Sequence, residues 1–162
     1  MKAVGTAAQR ELRDAYGAFP SGVVGLCAVV DDVPTGMAAS SFVAVSLDPP
    51  LVAVCVQHTS TTWPRLRDRP HLGVSVLGES HDLAARRLAA KTGDRFEGLA
   101  LGTTPGGAVL IEGASAWLEC SVEREVPAGD HAIVLLRIET FDVEPSISPL
   151  VFHSSTFRRL SA

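Results

Sequence analysis

The chain has no concentration of positive charge. Its 14 lysines and arginines are scattered among 18 acidic residues, for a formal net charge of −4. A nucleic-acid binder needs a basic stripe to neutralise phosphates, so that class is excluded. Aromatic residues are scarce at 6%, which leaves little material for a large adhesive surface. No apolar run approaches the ~20 residues of a membrane-spanning helix, so no membrane partner is expected. Cys27, Cys55 and Cys120 are odd in number, far apart, and each set in an apolar run. A metal cluster needs close pairs such as Cys-x-x-Cys, so all three read as buried free thiols. The N-terminus, Met1-Lys2-Ala3-Val4-Gly5-Thr6, passes straight into a polar helical pattern without a secretory signal. A reduced, cytoplasmic protein is the expectation.

Several catalytic signatures are missing too. His58, His71, His81, His131 and His153 form no i,i+4 pair of the kind a helical zinc site shows. There is no Gly-x-Ser-x-Gly elbow, no Gly-x-Gly-x-x-Gly after a strand and no P-loop. The glycine-rich run Gly102-Thr103-Thr104-Pro105-Gly106-Gly107 lacks the Lys-Ser/Thr ending and reads as a mobile loop.

What is present is an ordered composition, 46% hydrophobic and 20% charged over 162 residues. That suffices for one domain spanning 1–162 with a real core. Thr6 to Phe19 has helical spacing, with Leu12, Ala15, Tyr16 and Phe19 on one face, and Pro20-Ser21-Gly22 ends it. Val23 to Val30 and the stretch from Gly36 flank the turn Asp31-Asp32-Val33-Pro34 and predict an antiparallel pair. Asp48-Pro49-Pro50 turns into Leu51 to Val56, the most strand-like run in the chain. Ser60-Thr61-Thr62-Trp63-Pro64 looks like a helix N-terminus; it would welcome a phosphate, although an ordinary cap is the simpler explanation. Leu72 to Leu77 predicts a strand, and His81 to Ala90 a helix with Leu83, Arg87 and Leu88 near one side. Arg86, Arg87 and Lys91 are the densest positive charge, open to a phosphate or to plain solvation. Ala116 to Glu123 alternates as a half-buried strand, Pro127 to His131 is a turn, and Ala132 to Ile138 a further strand. Six or seven short strands joined by turns predict a mainly β chain, a β-barrel with peripheral helices.

The candidate site is the small-residue stretch Gly36-Met37-Ala38-Ala39-Ser40-Ser41-Phe42. Small and hydroxyl side chains leave backbone groups approachable, as a flat heteroaromatic ring edged with donors and acceptors requires. His131 follows Gly129-Asp130 at the start of a strand; its spacing alone suits a surface or capping role, because neighbours on a strand face opposite ways.

Phe19-Pro20-Ser21-Gly22-Val23, Gly36 to Phe42, Ser46-Leu47-Asp48-Pro49-Pro50-Leu51, Gly73 to Leu77, Asp94-Arg95-Phe96, Gly129-Asp130-His131 and Phe157-Arg158 occur in one order along nearly the whole chain. In that ordered set the chain resembles the short-chain flavin reductases that supply two-component flavin monooxygenases. The resemblance implies a Greek-key-like FMN-binding split β-barrel, normally a homodimer, using FMN or FAD and NADH or NADPH. It implies that Ala38, Ala39, Ser40 and Ser41 meet the isoalloxazine edge. It implies that Ser46, Leu47, Ser60, Thr61 and Thr62 help hold the ribityl phosphate, with the basic Arg87 and Lys91 nearby, and that Met37, Asp48 and Phe96 also belong to the cofactor site. Gly129, Asp130, His131, Phe157 and Arg158 would lie where the nicotinamide stacks, with His131 as the catalytic position. Many relatives carry Asn where this chain has Ser75, so a flavin contact there would be lost or taken over by water. Tyr is frequent where this chain has Phe157, which keeps the stacking surface without the hydroxyl. The adenine of FAD, if FAD is used, is expected over Thr103 to Ala108.

The implied function is an NAD(P)H:flavin oxidoreductase that hands free reduced flavin to a separate monooxygenase. The alternative is a split barrel that retains its flavin, reducing another acceptor or turning over nothing. Trp63 and Trp117 fit either interface anchors or core packing.

Overall fold

The computed structural model describes residues 9–160. Helix α1 (Gln9–Gly17) carries the expected amphipathic pattern, but none of its residues is buried; the expected start at Thr6 lies outside the described residues. A two-residue strand, β1 (Ser21–Gly22), precedes β2 (Val24–Val30) and β3 (Val33–Ala39). Asp31 and Asp32 join the latter two with φ of 51° and 62°. Two left-handed residues give a turn whose twist matches that of the flanking strands, and Asp tolerates that conformation. Register then runs from Val30↔Val33 to Val24↔Ala39.

Next come β4 (Val43–Leu47), β5 (Pro50–Gln57), α2 (Trp63–Leu66), β6 (Leu72–Val76), α3 (Asp82–Leu88), β7 (Leu101–Thr103) and β8 (Val109–Ile111). The chain closes with β9 (Ala116–Ala128), β10 (His131–Val143), β11 (Val151–His153) and β12 (Thr156–Arg158). Seven of these form one antiparallel sheet in the order β3-β2-β6-β9-β10-β5-β4, while β1-β11-β12 and β7-β8 form two small sheets. The edges of the large sheet meet across residues 40–42. There the Ser41 hydroxyl accepts the Cys55 N–H at 2.8 Å and donates to the Cys55 carbonyl at 3.1 Å.

Two cores explain the apolar runs. Inside the curled sheet lie Leu26, Val54, Leu72, Val74, Val134 and Leu136, plugged by Trp63 and Leu66 of α2. Each such side chain contributes roughly 1.5–3 kcal/mol by leaving water. On the other face of β2, Val23 and Cys27 pack with Leu77, Ala85, Leu88, Val109, Ile111 and Leu150. β2 is covered on both faces, so its sequence is continuously apolar rather than alternating.

Several expectations need correcting. The apolar face of α3 is Ala84, Ala85 and Leu88, whereas Leu83 is exposed. β9 continues through Ala128, and only Gly129 and Asp130 make the turn, with Gly129 at φ 67°. Of the two roles open to Trp63, core packing holds, and its indole N–H donates to Glu125; that of Trp117 donates to the Ile111 carbonyl. The glycine-rich run is an anchored hairpin rather than a mobile loop. Val29 N–H donates to the Gly107 carbonyl at 2.9 Å, and a Cβ on Gly106 would come within 2.2 Å of His71 Nδ1.

Glu119 clamps that hairpin to the sheet. One carboxylate oxygen accepts from Thr104 at 2.7 Å and pairs with His71 Nδ1 at 2.6 Å; the other accepts from Thr140 at 3.3 Å. Burial pushes this carboxyl up, but the Thr104 and His71 hydrogen bonds, the His71 charge and Thr140 together hold it below the ordinary value. A depressed folded-state pKa adds stability that is present above the unfolded value, about 4.3, and lost as pH falls through the folded one. Glu119→Gln is therefore expected to cost on the order of 1 kcal/mol at neutral pH and to flatten the acid limb of the stability curve. Urea unfolding at a series of pH values checks both; an acid limb as steep as the parent's would contradict the clamp.

Candidate flavin cleft

The sheet edges part above residues 40–42 and leave a cleft of about 590 Å³. Met37 to Ser41 form one wall, Cys55 to Gln57 and Thr59 to Thr62 the other, and Leu88, Ala89, Lys91, Arg95 and His131 complete it. The volume suits a cofactor-sized ligand, for which about 300–1,000 Å³ is usual. Met37, Ala38, Ala39, Ser40, Ser41, Ser60, Thr61, Thr62, Lys91 and His131, singled out in the sequence, are thus brought together.

Their chemistry differs in detail from what spacing suggests. Ser41 spends its hydroxyl closing the barrel, so Ser40, exposed beside it, offers the available one. Ser60 Oγ accepts the Trp63 N–H, the first of α2, at 3.1 Å, while Thr62 holds the N-cap position without a side-chain cap bond. That helix is one four-residue turn, so its dipole adds little. Charge at this end of the cleft comes instead from Lys91 and Arg95. Arg95 Nη1 donates to the Gly36 carbonyl and to Thr62 Oγ1, both at 2.8 Å. The guanidinium is fixed by neutral acceptors, and among the described residues it forms no ion pair.

Other expected positions lie elsewhere. Arg87 turns away to the Glu97 carboxylate at 3.2 Å and to its carbonyl, lining a separate recess with His81. Ser46, Leu47 and Asp48 sit on β4 and its turn and line no part of the cleft; Leu47 is 96% exposed. Ser75 is fully buried and its hydroxyl accepts the Ile111 N–H at 2.9 Å, so it joins β6 to β8. Phe96 lines a neighbouring groove.

Asp130 and His131 do pair, with Nδ1 and Oδ1 2.6 Å apart. The alternation of a strand does not separate them, because Asp130 belongs to the turn that Gly129 makes and only His131 is in β10. The hydrogen bond from His131 and its charge hold the Asp130 carboxyl below the ordinary value. Phe157 packs on Phe152 with centroids 5.3 Å apart, and the Arg86 guanidinium lies 4.9 Å above its ring. Phe152 and Phe157 line a small recess of about 150 Å³ that shares Ala38, Ala39, Ser40 and Ala89 with the cleft. Arg158 is exposed on β12.

Sequence reasoning did not choose Arg95 or Cys55. Arg95 was within reach, since the Asp94 carboxylate accepts the Phe96 N–H at 2.9 Å, a local turn typical of Asp two residues ahead. Cys55 is exposed and lines the cleft, whereas Cys27 and Cys120 are buried with thiols pushed up to about 12 by desolvation. One thiol is therefore expected to react with Ellman's reagent in the native protein, and three after unfolding. A native count of zero or three would contradict this burial pattern. Among the described residues there is no group of three metal-ligating side chains, and no helix is long and apolar enough to cross a membrane.

Comparison with known proteins agrees with this geometry. The family model for the flavin reductase like domain matches residues 16–161. The actinorhodin polyketide dimerase of Streptomyces coelicolor is 40% identical over 154 residues, 94% of this chain and 86% of that one. A flavin reductase of Pseudomonas putida is 35% identical over 151 residues, 93% of this chain and 89% of its own. The NADH:FAD oxidoreductase of Streptomyces globisporus, solved with NAD and FAD fragments, superposes with a TM-score of 0.91 at 36% identity, covering 99% of this chain and 98% of that one. By the extent of these matches, the chain belongs to the flavin reductase like domain family.

Proposed function

We propose that this chain is an NAD(P)H:flavin oxidoreductase that reduces FMN or FAD and releases the dihydroflavin to a separate flavin-dependent monooxygenase. The observation that carries it is the cleft itself: a wall of small residues from Met37 to Ser41, a fixed cation at Arg95, and His131 at one side. When bound, flavin supplies the hydride-accepting ring. The chain's task is then alignment, since hydride transfer between stacked rings needs position more than an added acid or base. Ala38, Ala39 and Ser40 are close enough to backbone for a ring to lie flat, while Lys91 and Arg95 hold a phosphate. The Asp130–His131 pair and Phe157 flank the side where a nicotinamide stacks; Asp130 fixes the His131 ring, which lines the cleft.

Release rather than retention is supported by exposure: Ser40, Cys55, Thr61 and Lys91, all lining the cleft, are open to solvent. Edge strand β4 also leaves Val43, Val45 and Leu47 uncovered. A row of this kind on an unpaired edge favours a second copy of the chain over it, and hence a homodimer. Unpaired Cys27, Cys55 and Cys120 suit a reducing cytoplasm.

Equilibrium dialysis with oxidised and with dithionite-reduced FMN tests the shuttle. Dihydroflavin should be recovered mostly in the free fraction at micromolar protein. Firm retention of both redox forms would favour an enzyme that keeps its flavin and reduces another acceptor.

A further inference from the structure

Of the basic group around α3, Arg87 pairs with Glu97 and Lys91 lines the cleft. Arg86, the third, is exposed in the last turn of the helix and forms no ion pair among the described residues. Its guanidinium lies instead 4.9 Å from the centroid of the Phe157 ring. That ring walls the recess of about 150 Å³ that meets the cleft at Ala38, Ala39 and Ser40. Arg86 itself does not line the recess, so it bears on that space through the ring. The strand carrying the ring is a weak anchor: β12 spans Thr156–Arg158 and forms the outer edge of the small sheet β1-β11-β12. Phe157 is half-buried, and its cross-strand partner Phe152 meets it at a tilt of 52°. A phenyl ring, unlike a phenol, has no hydroxyl with which to fix itself. A cation over the ring supplies a polar tether, because the π face is negative. Ala85 and Leu88, buried in the second core, hold the helix that presents this cation.

We propose that Arg86 is a positioning residue for the nicotinamide donor: it holds the Phe157 ring as a wall of the recess and so sets donor affinity without touching donor or flavin. The inference rests on the flavin reductase reading. A wall ring left to swing offers the donor fewer contacts before and during hydride transfer alike. Loss of the tether therefore raises KM and leaves kcat nearly unchanged, the mark of an interaction made equally in both states.

The test compares the parent with Arg86→Ala and Arg86→Lys, each alone and combined with Phe157→Leu, at saturating FMN. Calorimetric titration with a tetrahydro analogue of NADH, which cannot give up a hydride, reads affinity directly. Steady-state bleaching of FMN gives KM and kcat for NADH and for N-benzyl-dihydronicotinamide, a donor without phosphate. Arg86→Ala should weaken the analogue and raise both KM values about three- to fivefold, the range of an exposed cation–π contact. Arg86→Lys keeps the cation and should recover most of the loss. In the Phe157→Leu background, Arg86→Ala should add nothing further, because the partner ring is gone. An undiminished effect in that background, or a rise in KM for NADH that the phosphate-free donor does not share, would mean that Arg86 meets the donor's diphosphate directly and would overturn the inference. Parent-like affinity in Arg86→Ala would overturn it as well. Arg86 is exposed, so its single variants fold; if Phe157→Leu does not, the phosphate-free donor decides alone. A parent that neither binds the analogue nor bleaches FMN would remove the reductase reading itself, an outcome distinct from an active parent indifferent to Arg86→Ala.

Discussion

Arg95→Ala is expected to weaken FMN binding by about ten- to a hundredfold, the range that a charge-assisted hydrogen bond worth about 1.5–3 kcal/mol implies. Nη1 holds Gly36 and Thr62 together, so the guanidinium reaches the cleft in one orientation and loses little further freedom on binding. Riboflavin provides the control, because it has no phosphate. Its affinity should fall far less than that of FMN, and Arg95→Lys should recover part of the charge but not the fork. Fluorescence titration of the three ligands reads the result. Equal losses for FMN and riboflavin would mean that Arg95 acts only by tying the walls together.

The second large effect is on stability. A Cβ on Gly73 would stand 2.0 Å from the Val109 carbonyl oxygen and 2.7 Å from its carbon. Both are backbone atoms, held where β8 crosses β6, so neither can rotate aside. Gly73→Ala is expected to cost about 3 kcal/mol or more, the upper end for overpacking. Gly22→Ala, which meets nothing within 4 Å, should stay within about 0.5 kcal/mol of the parent. Urea unfolding of the pair separates this specific contact from the general effect of adding a methyl group to a strand glycine.

Much of the fold was legible because its signals are local. Asp31-Asp32 fixes a hairpin by backbone conformation, and Asp48-Pro49-Pro50 marks the next turn. The unbroken apolar run of β2 announces a strand covered on both faces. What could not be read depends on partners far along the chain. Leu51 to Val56 is apolar at every position, so alternation gives no face. Cys55 and its β10 neighbour Ile133 point outward, while Val54 and Val134 point into the core. Arg87 and Lys91 lie on or just beyond one short helix, and only its packing shows that Lys91 reaches the cleft while Arg87 pairs with Glu97. Ser75 looks available until β8, 36 residues on, covers it.

Site residues were easier to place in a set than to assign singly. The small-residue wall and His131 follow from sequence order, because each sits at the end of a strand whose register is fixed by its neighbours. The cationic end of the cleft does not. It is assembled from the loop before α2 and the turn after α3, and its cation is chosen by closure of those two segments on Gly36. Ser46 to Asp48, adjacent in sequence to the small-residue wall, are carried away along β4 as that strand runs down the barrel edge.

Anaerobic mixing of substoichiometric protein with excess FMN or FAD, with NADH and NADPH supplied in parallel, tests the central claim most directly. Rapid, multiple-turnover loss of the flavin absorbance with at least one donor is the predicted result, and the faster donor fixes the nicotinamide preference. If neither donor bleaches either flavin, although the protein binds flavin, the reductase account is contradicted and the cleft belongs to a flavin-holding barrel with another source of electrons.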